Sequence, residues 1–216
     1  MAERIYNDLE SAGRELATTL ATNFGNHAVV LAVANAGAPV AVPVADRLNA
    51  HLDLIVIRRL FVREGRPWPI CAVSIGGNLV VDQEAGRLSH IEEQFMKQSV
   101  DELCARARAM RYNFPPTDIA GKNVVVVDNG IHTGSTIQIA ATAVRTLRPA
   151  SITVAVPVAD AKIRSAVLEI ADDVLCLKWA EQFGHTGLWY KNFNRPGDDE
   201  VRTIMNSLSL EKNKRQ

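Results

Sequence analysis

Between residues 122 and 147 the chain places an acid, hydroxyls and glycines in the order that a phosphate-bearing ligand would need. Four valines at 124–127 run into Asp128, Asn129, Gly130, Ile131, His132, Thr133, Gly134, Ser135 and Thr136. Ile137, Ala140, Ala141, Val144 and Leu147 then recur at helical spacing, so the stretch reads as strand, loop and helix. A short strand that is apolar throughout belongs in a parallel sheet covered on both faces. The two glycines allow a ligand close to the backbone, and three hydroxyls stand at the start of the helix. Free N–H groups and the helix dipole make such an end an anion site, best suited to phosphate. Asp128, at the end of the strand, is placed to meet sugar hydroxyls or a metal carried by the ligand. Neither G-x-G-x-x-G nor G-x-x-x-x-G-K-[ST] is present, so the loop is neither the dinucleotide fingerprint nor the nucleotide-triphosphate loop.

The elements that would hold this loop can be read in order. Residues 3 to about 24 predict an amphipathic helix through Ile5, Leu9, Leu16 and Leu20. Residues 28–33 predict a buried strand, followed by a turn containing Asn35, Ala36 and Gly37 and an alanine-rich helix to about residue 50. Residues 53–57 predict a strand ending in Arg58 and Arg59, cations that would point at the ligand crevice of an open α/β sheet or simply sit in solvent. Residues 60–86, broken by Gly65, Pro67 and Pro69, hold two short strands around Gly76 and Gly77; Trp68 is read as a core or lid aromatic, or as a base-stacking residue. A charged helix from 88 to about 111 turns Ile91, Phe95, Val100, Leu103 and Ala107 to the core and carries Arg106, Arg108 and Arg111. A proline-rich linker ends it. Strands at 152–156 and 174–177, with a helix at 161–170 between them, complete the sheet, and an aromatic stretch at 183–193 precedes a last helix.

Composition narrows the function classes. In 216 residues, 24 Lys and Arg balance 24 Asp and Glu, which gives no electrostatic argument for nucleic acid or an acidic membrane. No apolar run approaches the roughly 20 residues that span a bilayer. The first ten residues have acids and no apolar core, unlike a signal peptide. Cys71, Cys104 and Cys176 are far apart and match no metal spacing; reduced core cysteines suit a cytoplasmic protein. The expectation is one domain, 1–216, without repeats.

The segment 123–136 resembles the phosphoribosyl pyrophosphate (PRPP) signature of type I phosphoribosyltransferases: an apolar strand, two acids, two mostly apolar residues, a variable residue, then Thr-Gly-x-Thr. The departure is Asn129 at the second acidic position. The resemblance, to an uncharacterised bacterial subgroup, extends more weakly over 28–41, 53–77 and 183–201. It implies an α/β fold in which a parallel sheet is flanked by helices, with a mobile flap at about 60–86 and a small C-terminal hood at about 178–197. It implies that Gly130, Ile131, His132, Thr133, Gly134, Ser135 and Thr136 hold a 5′-phosphate and that Asp128 binds the ribose hydroxyls. His132 occupies the place where some members carry an acidic general base, and serves as that base or as a plain loop residue. Pyrophosphate would meet Asn35, Ala36 and Gly37, where the subgroup has Pro-Arg-Gly-Gly, and also Arg58, Arg59 and Arg111. Mg²⁺ would be held through the substrate and by Asp128, with no direct site built from protein ligands alone. A homodimer is the family-level expectation. The aromatics of the hood cover the acceptor or pack as a tail on the domain.

The departures at Asn35 and Asn129, and the absence of the usual flap acid near Pro67 and Trp68, fall at catalytic positions and spare the phosphate loop. Two functions therefore stand: a phosphoribosyltransferase releasing pyrophosphate onto a nitrogenous acceptor, with Asp128, Asn129 and His132 as its catalytic group, or a non-catalytic binder of PRPP or a nucleotide 5′-phosphate.

Overall fold

The computed structural model describes residues 5–21, 28–60, 70–81, 90–112 and 114–213. Seven strands form one sheet: β1 (Ala28–Val33), β2 (His51–Leu60), β3 (Ile70–Ile75), β4 (Asn78–Val81), β5 (Asn123–Val127), β6 (Ser151–Asp160) and β7 (Asp173–Ala180), in the order β4-β3-β2-β1-β5-β6-β7. β2, β1, β5, β6 and β7 run parallel, whereas β3 and β4 are antiparallel additions at the β2 edge. The sheet is thus mixed rather than purely parallel, and the two short strands expected of the flap are its outer strands. The remainder of the expected flap, including Trp68, lies outside the described residues.

The valine run of β5 shows why the parallel strands are apolar throughout. Val125 and Val127 enter the core on one face, with β1 residues Val30 and Ala32. Val124 and Val126 enter the core on the other, with Val29 and Leu31. On the first face lie α1 (Leu9–Leu20), α2 (Gly37–Arg47), α3 (His90–Met110) and the start of α6 (Asp198–Asn213). On the second lie α4 (Ser135–Thr146) and α5 (Arg164–Ile170). Period-two side-chain alternation sends every second valine to each layer, so β5 is apolar on both faces.

Several boundaries moved from their expected places. α1 starts at Leu9, because Asp8 caps it: the Asp8 carboxylate accepts from Ser11 N at 2.7 Å, and Ser11 Oγ accepts from Asp8 N at 3.0 Å. β2 runs through Arg58 and Arg59, because both residues pair with β3. β6 runs through Pro157 to Asp160, which were expected to be loop; Pro157 supplies a carbonyl to Tyr6 Oη at 2.9 Å. Phe95, expected in the core, is exposed on α3. The three cysteines are half-buried and no disulfide joins them.

The stretch from 183 to 193 packs on the domain. Phe183, Trp189 and Tyr190 are buried, Phe183 stacks on Trp189, and Tyr6 lies 5.5 Å from Tyr190 between ring centroids. Residues 6 and 7 run beside this stretch, with Tyr6 N donating to Trp189 O at 3.0 Å and Lys191 N donating to Tyr6 O at 2.8 Å.

Arg111 lies apart from the ligand loop. Its Nε and Nη2 donate to the two Asp53 oxygens at 2.6 Å each, and Nη1 and Nη2 reach the carbonyls of Phe114 and Pro115 at 3.1 and 2.8 Å. Thr117 also donates to Asp53. Both charged groups are almost fully buried. Burial alone would raise the Asp53 pKa, but hydrogen bonds from Arg111, His51 and Thr117 together with the Arg111 charge outweigh it and hold the carboxyl at about 2. Arg111 thus ties the end of α3 and the linker to β2, and its guanidinium is consumed by Asp53, away from the loop after β5. Removing one member of a buried pair strands the other charge, so Arg111→Ala should cost about 3–5 kcal/mol of unfolding free energy in urea titrations.

Candidate functional site

Taken alone, the five parallel strands run in the order 2-1-3-4-5, and the strand order reverses its direction along the sheet between β1 and β5. Open α/β sheets bind ligands at the carboxyl ends of the strands flanking such a switch point. A cleft of about 480 Å³ opens there, lined by residues 33–36 after β1, residues 128–134 with Thr136 and Ile137 after β5, and Thr186, Arg195 and Pro196 from the C-terminal stretch.

Two helices begin at this cleft. α4 starts after Gly134, whose φ of 78° is left-handed and therefore suited to glycine. α2 starts at Gly37, directly after Ala36. Neither helix has a side-chain cap. The first N–H groups of a helix lack intrahelical acceptors, so two uncapped helix N-termini border one cavity. The loop before α4 is pinned to β6: Ile131 N donates to Val158 O at 3.0 Å, and Asp160 N donates to Ile131 O at 2.9 Å. Arg59 adds a cation over the same helix end, its Nη2 donating to Ser135 Oγ at 3.2 Å and Thr136 Oγ1 at 2.9 Å. Arg58, one residue earlier on the strand, points to the opposite face and pairs with Glu102 on α3 at 3.0 Å.

Among the described residues, Asp128 is the only carboxylate lining the cleft. Burial pushes its pKa up to about 7; the Asn129 N–H at 2.7 Å and the charge of Arg195 pull the other way without prevailing. Asn129 is buried, and its Nδ2 is the one buried side-chain nitrogen or oxygen among the described residues that lacks a hydrogen-bond partner. Its carbonyl accepts from Tyr190 Oη at 2.5 Å. His132 is exposed at the cleft and stacks on Phe183, with 5.5 Å between centroids. Asn35 lines the opposite end; its Nδ2 donates to Asp198 Oδ1 at 2.7 Å, and the Ala34–Asn35 peptide is cis.

The structure thus brings together Asp128, Asn129, the loop 130–136, Asn35, Ala36 and, over the α4 end, Arg59. It leaves Arg58 and Arg111 outside. Sequence reasoning missed Arg195, the one arginine among the described cleft-lining residues, along with Thr186 and Pro196. The available signal was a lone arginine in Asn194-Arg195-Pro196-Gly197, between an aromatic cluster and the acidic start of a helix. Arg195 rests on the Phe193 ring at 5.4 Å. The buried aromatics do not themselves form the cleft wall; they carry the polar residues that do.

A sheet with this order, a glycine- and hydroxyl-bearing loop after β5 and a single buried acid at the switch point define a doubly wound α/β protein with its cleft at the carboxyl ends of the strands. The family model for the phosphoribosyl transferase domain matches residues 72–191, more than half of the chain, and the chain belongs to that family. It is 33% identical over 202 residues to the Mycobacterium tuberculosis proteins named "Putative phosphoribosyl transferase Rv0571c" (strain H37Rv) and "MT0597" (strain CDC 1551). That match covers 92% of this chain and 46% of each relative, so the chain spans about half the length of these curated relatives. The crystal structure of TT1426 from Thermus thermophilus superposes with a TM-score of 0.79 at 29% identity, covering 94% of this chain and 98% of that one. No helix among the described residues is long and apolar enough to cross a membrane.

The raised pKa of Asp128 has a consequence for stability. Its folded value exceeds the unfolded one, so the folded state loses stability as pH rises from about 4 to about 7 and carries the full cost above that, of order a few kcal/mol. Asp128→Asn should therefore raise the melting temperature at pH 8.5 and change it far less at pH 4.5, as read by calorimetric melting at the two pH values.

Proposed function

We propose that the chain binds PRPP in the switch-point cleft and transfers its phosphoribosyl group to a nitrogenous acceptor, releasing pyrophosphate. The observation that carries this reading is the pair of uncapped helix N-termini, α2 and α4, at one cavity with a carboxylate between them. A ligand with phosphates at both ends and a diol in the middle fits that arrangement. The 5′-phosphate would take the N–H groups at 133–136, with Arg59 above them. Asp128 would accept from the ribose hydroxyls. The pyrophosphate would meet the 35–37 turn at the start of α2.

In the reaction, the bond from C1 of the ribose to the pyrophosphate oxygen breaks and the electron pair leaves with pyrophosphate. The acceptor nitrogen forms the new bond to C1 and gives up its proton. His132, whose ring stacks on Phe183, would receive that proton. The chain supplies position and electrostatics, which is most of what such a transfer requires. Among the described residues no cluster of three His, Cys, Asp or Glu could hold a metal, but one buried carboxylate suits Mg²⁺, which keeps most of its oxygen ligands from water and substrate. Asp128 would hold that ion, and Mg²⁺ would neutralise charge on the pyrophosphate.

A second reading, binding without turnover, is favoured by the neutral Asn129. It lacks the charge that would stabilise a positive ribose centre.

Titration calorimetry with PRPP and Mg²⁺, with ribose 5-phosphate and AMP for comparison, tests the site. PRPP should bind most tightly, and Asp128→Ala should weaken it about 10- to 100-fold, the range for lost hydrogen bonds to a charged group. Failure of all three ligands to bind would remove both readings. Pyrophosphate release against a panel of nitrogenous bases then separates enzyme from binder.

A further inference from the structure

At the α2 end of the cleft the protein has already placed an anion. Asp198, the first residue of α6, accepts from Asn35 Nδ2 at 2.7 Å and from Arg106 Nη2 at 2.9 Å through Oδ1, and from Arg106 Nε at 2.7 Å through Oδ2. Arg106 Nη2 also donates to Asn35 Oδ1 at 3.0 Å. Asn35 lines the cleft, so the guanidinium of Arg106 is one hydrogen bond from the cavity although it comes from the body of α3. Three chain segments therefore converge on one carboxylate: the turn after β1, α3 and the start of α6. The donors are a forked guanidinium and a side-chain amide beside an uncapped helix N-terminus. That donor set matches a phosphate oxygen as well as it matches a carboxylate.

We infer that Arg106 and Asn35 form the binding site for the distal phosphates of the ligand, and that Asp198 is an internal carboxylate which those phosphates displace. This deepens the PRPP reading and rests on it. The exchange needs an occupant that solvent and ligand can reach, and the Arg106 and Asp198 side chains are 41% and 46% exposed, so another anion can compete for the same donors. It also needs a stronger incoming anion, and a pyrophosphate group bears more charge and more acceptor oxygens than one carboxylate. Releasing Asp198 would free the start of α6, which directly follows the cleft-lining Arg195 and Pro196. Occupation of the distal site is thereby coupled to the wall over the ribose.

Opposite substitutions in the cluster distinguish exchange from a clasp that merely holds α6 on α3. With calorimetric titration of the full chain, Arg106→Met should weaken PRPP and inorganic pyrophosphate about 10- to 100-fold, as expected for losing a charge-assisted contact. The same change should leave ribose 5-phosphate within about twofold. Asp198→Asn removes the competing charge and should tighten PRPP and pyrophosphate severalfold, again sparing ribose 5-phosphate. A clasp predicts that both variants shift all three ligands in the same direction, or none of them, and either result overturns the inference. If the native protein binds neither PRPP nor ribose 5-phosphate, the PRPP reading fails and this inference fails with it. Binding with an unchanged ratio of the two affinities in both variants removes only the assignment of Arg106 and Asp198.

Discussion

Two helices begin without side-chain caps at one point of the sheet, and most of the site follows from that. A helix start leaves its first N–H groups without acceptors, and a protein normally supplies one from a Ser, Thr, Asp or Asn side chain. α1 does so through Asp8 and Ser11. α2 and α4 do not. Both start where β1 and β5 end, and those strands are neighbours whose connections leave on opposite faces of the sheet. The strand order therefore turns two local deficits into one cavity with a donor-rich end on each side.

The charges around the cavity are distributed to match. Arg59 stands over the α4 end, and Arg106 reaches the α2 end with Asp198 for company. Between them the sheet's apolar body keeps Asp128 in poor contact with water, which is why its proton is held to about pH 7. A bound cation or a hydroxyl donor would reverse that by stabilising the ionised form. The carboxylate is thus tuned by its surroundings to respond to what enters the cleft. Asp53 has the opposite fate. That acid is also buried, but Arg111 answers it with two hydrogen bonds, so it is ionised throughout the ordinary pH range and serves the fold.

What the sequence made legible was what is local. Strand, loop and helix at 123–147 are contiguous, and their pattern of valines, glycines and hydroxyls carries its own geometry. The α/β class, the family and the position of the loop at a helix start could be reached from that one stretch. Arg106 and Arg195 were not legible, because their relation to Asn35 and Asp128 spans long stretches of chain and depends on how α3 and the C-terminal stretch fold back. Arg111 misled for the same reason: its partner Asp53 lies in another element, and nothing near either residue in sequence announces the pair. Strand ends were misjudged where a neighbouring strand continued the pairing, at Arg58 and Arg59 beside β3 and at residues 158–160 beside β7.

The contact of Tyr190 with Asn129 reaches further than its single hydrogen bond suggests. Tyr190 is held by Tyr6, and the backbone of residues 6 and 7 is bonded to residues 189, 191 and 192. The segment ahead of α1 is therefore a splint on the backbone of the ligand loop, set in place by the opposite end of the chain. Shortening a protein ahead of its first helix is ordinarily a neutral edit. Here, a cut that removes Tyr6 would unseat Tyr190, loosen the Asn129 carbonyl and alter the loop after β5 without touching a single residue that lines the cleft.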